Sequence, residues 1–96
     1  KRETDKAVEL LEKARDLAPR KAEILSDLGA AYLEKSRAPQ MIGTPARARV
    51  LNDALENFDR ALEIAPDLPE ARFNRAYSLQ EAGDPAAAVR AWREYL

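Results

Sequence analysis

Ninety-six residues, 46% apolar and 34% charged, suffice for one small domain or a piece of a larger one, and exclude disordered and collagen-like classes. Sixteen basic against seventeen acidic side chains leave a net charge of −1, without the basic footprint that DNA or RNA binding leaves. No apolar run nears the roughly 20 residues that cross a bilayer, KRETDKAVELLEK reads as a charged amphipathic helix rather than a signal peptide, and the lack of cysteine excludes disulfides and thiolate chemistry.

Five helices follow in chain order, and the predicted class is all-α. Ala7, Val8, Leu11, Ala14 and Ala18 make one apolar stripe, which Thr4 is placed to cap and which ends before Pro19. The second helix covers about 22–36, with Leu25, Leu28, Ala31 and Tyr32 on its stripe. Thr44 then Pro45 is a start signal, a hydroxyl for an orphan amide followed by an imide whose missing N–H costs nothing in a first turn. The third helix runs from there to Ala65, ahead of Pro66, carrying Val50, Leu51, Ala54, Leu55, Phe58, Ala61 and Leu62. Asp67 and Pro69 open the fourth helix, which bears Phe73, Ala76, Tyr77 and Leu79. Gly83 closes it, and Asp84 with Pro85 open the fifth, which bears Ala88, Val89 and Trp92.

These helices repeat one template. AVELLEKARDLAP (7–19), ALENFDRALEIAP (54–66) and AAVRAWREYL (87–96) align small residues at Ala7, Ala54 and Ala88. A large residue follows four later, at Leu11, Phe58 and Trp92. From 54 to 88 the spacing is 34 residues, and from 7 to 54 it is 47, longer by 13. Two helices per 34-residue unit resemble the tetratricopeptide repeat, whose W-x2-L-G-x2-Y…A-x3-F…P pattern is met by Leu25, Leu28, Gly29, Tyr32, Ala54, Phe58 and Pro66. The following unit supplies Ala76, Leu79, Ala88 and Trp92, with Arg72 and Arg75 where tryptophan and leucine are usual. The resemblance implies a right-handed helix-turn-helix solenoid. Residues 1–19 would end a partial repeat, 22–66 form a repeat with an insertion at about 37–49, and 69–96 form a final repeat. Gly29, Ala76, Ala54, Ala61 and Ala88 would let backbones approach, with Tyr32, Phe58 and Trp92 filling the space beside them.

The insertion splits in two. Ala46, Ala48, Val50 and Leu51 extend the third helix backward to Pro45, and about 37–43 forms a loop. Lengthening a loop costs only about 0.6 kcal/mol per doubling, so the insertion persists with or without a function. Met41 and Ile42 at its tip either fold back onto the bundle, the favoured reading, or meet a partner.

Nothing in the sequence suggests catalysis, a cofactor or a metal. There is no histidine or cysteine, and Gly29, Gly43 and Gly83 are scattered rather than gathered in a phosphate loop. Carboxylate pairs such as Glu9 with Glu12 or Glu23 with Asp27, near Lys13, Arg15 or Arg60, fit helix-surface ion pairs. By the register of the resemblance, the concave face is lined by Glu23, Ser26, Ala30, Leu33 and Glu34, then by Glu70, Phe73, Tyr77, Gln80 and Glu81, with Asn74 beside them. Phe73 and Tyr77, one turn apart, either form an aromatic ledge for an apolar anchor or lie partly buried between helices. Arg72 and Arg75 either pair with Glu70 or Asp67 or recognise a partner's carboxylate. Family members that grip a C-terminal carboxylate use lysine, asparagine and arginine in the groove. Ser26, Ala30, Phe73 and Tyr77 stand at those positions and only Asn74 fits, so that mode is not expected.

The expected function is a non-catalytic scaffold that docks a peptide or helix of a protein partner, with no nucleic acid and no membrane. An alternative is self-association, since both terminal helices should expose apolar stripes including Val8, Leu11, Val89 and Trp92. The stretches Pro69–Ala76 and Ala91–Leu96 also resemble bacterial tetratricopeptide proteins that precede a caspase-like CHAT protease domain. That resemblance implies a regulatory segment of a larger cytoplasmic protein.

Overall fold

A computed structural model describes residues 2–96. Among them it forms five α-helices and no strand: α1 (Arg2–Leu17), α2 (Ala22–Ser36), α3 (Pro45–Ile64), α4 (Pro69–Glu81) and α5 (Pro85–Tyr95). A 3₁₀ turn, Pro39–Met41, interrupts the loop between α2 and α3.

Proline sets the starts. Pro45, Pro69 and Pro85 each occupy the first turn of their helix, where no amide partner is needed. The residues before them, Thr44, Leu68 and Asp84, have ψ of 152°, 106° and 80°, outside the helical region that a following proline ring disfavours. Asp84 caps α5 as expected, accepting from the Ala87 amide at 3.1 Å. Three other cap expectations are corrected. α1 already includes Arg2, so Thr4 lies inside it. Thr44 does sit at the α3 cap, but its hydroxyl donates backward to the Met41 carbonyl at 2.6 Å and so shapes the loop instead. Leu68 rather than Asp67 precedes Pro69 at the α4 cap. At the other end of α4, Gly83 has φ of +81° and its amide donates to Gln80 O. The Asp84 amide donates to Leu79 O, which completes a six-to-one and five-to-two closure that favours glycine.

Each helix packs on its chain neighbours, and α2 also touches α4, so successive first helices lie side by side. The core sits where α2, α3 and α4 meet: Ala22, Leu25, Leu33, Leu51, Ala54, Phe58, Ala61 and Ala71 are buried together. Tyr32, Leu62, Leu68 and Tyr77 pack on its rim. Gly29 shows the close approach most clearly, since a Cβ added there would lie 2.6 Å from Phe58 Cε1. Burying these side chains is worth about 1.5–3 kcal/mol for each large one.

The insertion is fastened by a residue that helical periodicity does not mark. Arg47, in the first turn of α3, donates through Nε to Ser36 O at 3.1 Å, at the C-terminus of α2. Its Nη2 pairs with Glu81 Oε1 at 2.7 Å and its Nη1 reaches Glu81 O at 3.4 Å, at the C-terminus of α4. A guanidinium thus meets two helix ends whose carbonyls carry partial negative charge. Ser36, fully buried, donates its hydroxyl to Leu33 O at 2.6 Å, leaving its own carbonyl for Arg47.

The terminal helices are less bare than their stripes suggest. Val8 is buried and Leu11 and Trp92 are half-buried, so of the four stripe residues only Val89 is exposed. Leu10, Leu17 (87% exposed) and Leu96 (95% exposed) are the exposed leucines. Glu12, expected in a surface ion pair, instead accepts the Tyr32 hydroxyl at 2.5 Å and ties α1 to α2.

Candidate functional site

Side-by-side packing of α2 and α4 leaves a groove of about 340 Å³, lined by Ala30, Leu33, Glu34, Arg37, Phe73, Asn74 and Tyr77. Six of these seven are residues that the helical register assigns to the concave face. The spacing explains their meeting: on each helix, positions three and four apart share one side, and two neighbouring helices turn those sides toward each other. The seventh, Arg37, lies one residue beyond α2, and its guanidinium stands 5.6 Å from the Tyr77 ring centroid. A cation over an aromatic face at that distance is attracted by the ring quadrupole.

The groove floor is apolar. Leu33 is buried in the core, Ala30 and Tyr77 are half-buried, and Phe73 keeps 43% of its surface exposed. Phe73 and Tyr77 do not form an isolated ledge. The Phe73 ring meets Trp92 edge-on at 5.1 Å and Tyr95 at 5.6 Å, which continues the aromatic surface onto α5. Tyr77 leans the other way, toward the core and Arg37.

Beyond this lining, toward the N-termini of α2 and α4, the surface is acidic. Glu23 and Asp27 on α2 and Glu70 in the first turn of α4 are exposed. The carboxyl of Asp27 is pushed above its ordinary range, first by partial desolvation and then by the charges of Glu70 and Glu23. Past Glu34 and Arg37, the opposite end opens into a cleft of about 410 Å³ between the first turn of α1 (Thr4, Asp5) and the insertion (Ala38–Met41).

The remaining assigned residues lie elsewhere. Ser26 is buried and does not reach the surface. Gln80 accepts from Trp92 Nε1 at 3.2 Å, and Glu81 is taken by Arg47. Met41 is half-buried and lines the cleft, whereas Ile42, 67% exposed, does not fold back. Arg72 and Arg75 pair with neither Glu70 nor Asp67. Arg75 Nε bonds Asp59 Oδ1 on α3 at 2.6 Å, and Arg72 donates to the Glu94 carbonyl on α5. Each arginine thus reaches across to the neighbouring helix rather than along its own.

Among the described residues no group of three or more histidine, cysteine or acidic side chains is disposed to hold a metal ion, and no helix is long and apolar enough to cross a membrane. No curated protein matches the chain. Residues 57–90, which span the last two turns of α3, all of α4 and about half of α5, match a family model described as Tetratricopeptide repeat. With that match on one repeat-length segment and five helices stacked as described, the chain is an all-α, tetratricopeptide-like helical repeat.

Proposed function

We propose that the chain is a non-catalytic protein-interaction scaffold that docks a peptide or helix of a partner in the groove between α2 and α4. Tetratricopeptide repeats generally mediate protein–protein interaction. The observation that carries the reading to this groove is the convergence of Ala30, Leu33, Glu34, Phe73, Asn74 and Tyr77 on one concave surface. Its walls are helices fixed by a shared core, so little side-chain ordering opposes binding. Selection of a displayed random-peptide library on the purified protein tests this. Selected peptides should lose binding to Phe73→Ala and Tyr77→Ala, and peptides insensitive to both variants would refute groove docking.

Self-association is the second reading, favoured by exposed Val89 on α5, by Leu96 just after it, and by Leu10 and Leu17 on α1. Sedimentation over a range of concentrations decides it: dimers dissociated by Val89→Glu support it, and monomers throughout oppose it. A place ahead of a CHAT-type protease in a bacterial cytoplasmic protein rests on the similarity of residues 69–76 and 91–96. The full-length gene tests that placement directly.

A further inference from the structure

The groove is not uniform along its length, and its gradient selects a partner. Three carboxylates, Glu23, Asp27 and Glu70, stand beyond its lining toward the N-termini of α2 and α4, on the helix faces that carry Ala30 and Tyr77, and no guanidinium or ammonium pairs with any of them among the described residues. The raised carboxyl of Asp27 reflects the charges of the other two, after its partial desolvation. The middle is apolar, between Ala30, Phe73 and Tyr77. The far end carries one acidic and one basic side chain, Glu34 and Arg37. The surface is therefore negative, then greasy, then neutral, along one direction of α4.

Spacing follows from the helix. Glu70 and Tyr77 are seven residues apart, about 10 Å of helix axis. Extended chain covers that in about three residues. We propose that the α2/α4 groove takes an extended segment with a basic side chain about three residues from a single aliphatic anchor. The cation would meet Glu23, Asp27 and Glu70, and the anchor would sit between Ala30, Phe73 and Tyr77. Charge complementarity fixes the order, because a second cation beyond the anchor would face Arg37. The inference rests on the groove-docking reading above and specifies its partner.

Capped tetrapeptides test it by ¹⁵N NMR titration of the whole chain at low salt. The probe is acetyl-Arg-Ala-Ala-Leu-amide, compared with Glu-Ala-Ala-Leu, Arg-Ala-Ala-Ala and Arg-Ala-Ala-Arg in the same caps. The arginine peptide should shift Phe73 and Tyr77 and bind about two- to fivefold tighter than the glutamate peptide, the range of an exposed ion pair. Replacing leucine by alanine should weaken binding about tenfold. Asp27→Lys, on an exposed helix face where folding is not at stake, should reverse the preference between arginine and glutamate. Equal binding of those two peptides, with shifts at Phe73 and Tyr77, would overturn the charge order while leaving groove docking intact. Tightest binding by Arg-Ala-Ala-Arg would overturn the single-anchor arrangement. Absence of groove shifts with every peptide, or shifts that follow protein concentration alone, would overturn the proposal, the latter in favour of a second copy.

Discussion

The ring of Phe58 on α3 lies against the bare α-carbon of Gly29 on α2. A Cβ at position 29 would meet Phe58 Cε1 at 2.6 Å, Cδ1 at 2.8 Å and Cζ at 2.9 Å. Two opposing magnitudes decide what alanine does here. Helix propensity alone favours alanine over glycine by about 1 kcal/mol. Overpacking a core costs about 1–3 kcal/mol, and Phe58, fully buried, has nowhere to retreat. Gly29→Ala should therefore lower stability, by about 1 kcal/mol in urea denaturation. Adding Phe58→Leu should cost less in the Gly29→Ala background than in wild type. Additive losses would mean that the two positions do not press on each other.

Arg47 should matter to stability more than its position in an insertion suggests. Hydrogen bonds to charged groups contribute about 1.5–3 kcal/mol, and at about a quarter exposure the pair with Glu81 is partly screened. Arg47→Met, which keeps the stem and removes the guanidinium, should cost about 1–2 kcal/mol in thermal or denaturant unfolding. Glu81→Gln should cost less, because Ser36 O and Glu81 O remain as acceptors. An Arg47→Met protein as stable as wild type would show that the α2 and α4 ends need no fastening.

Tyr32 titrates late. Its phenol is pushed up to about 12 by burial first, then by its hydrogen bond to Glu12 and the charges of Glu12 and Asp53. The folded chain holds this proton more tightly than the unfolded one. The resulting stabilisation is present below pH 10, the ordinary value, and fades as pH rises toward about 12. Tyrosinate absorbance should show one late-titrating tyrosine that disappears in Tyr32→Phe. Glu12→Gln should bring it back toward the ordinary value.

Asp27 should be better neutral than charged. A carboxyl raised in the folded state favours the protonated form there, so its contribution to stability is present at low pH. That contribution is lost as pH rises through the raised value. At neutral pH, Asp27→Asn should therefore stabilise the chain slightly, with an advantage that shrinks on acidification through the carboxylate range. An Asp27→Asn protein less stable than wild type at neutral pH would show that the carboxylate makes a favourable contact.

The helices and the groove are legible in the sequence for a shared reason. Periodicity of 3.6 fixes which side of α2 and of α4 each residue occupies, and the repeat register fixes that the two helices are neighbours. Ala30, Leu33, Glu34, Phe73, Asn74 and Tyr77 converge on those grounds alone. Ser26 shares the helical phase of Ala30 and Leu33 yet is buried, because phase assigns a side of the helix and not how closely the neighbouring helix covers it. Arg37 escapes notice because it follows the end of α2, where helical phase no longer says where a side chain points. Arg47 escapes because its partners lie 11 and 34 residues away. Arg72 and Arg75 find their partners on other helices, Glu94 on α5 and Asp59 on α3. Both arginines are long enough to cross to a neighbouring helix, and sequence proximity to Glu70 or Asp67 does not decide between the two. Thr44 shows the limit of cap rules: the hydroxyl is where they place it, but a hydroxyl donates as well as accepts, and here it donates to the Met41 carbonyl.

Arg47 gives the extra loop a consequence for how such a chain can be trimmed. The insertion's far end, in the first turn of α3, delivers a side chain that staples the tip of α2 to the tip of α4. Excising it to restore the shorter spacing would remove a bolt between adjacent tiers along with the slack. An engineer shortening the chain would have to fit a replacement, and the ornament has become a fixture.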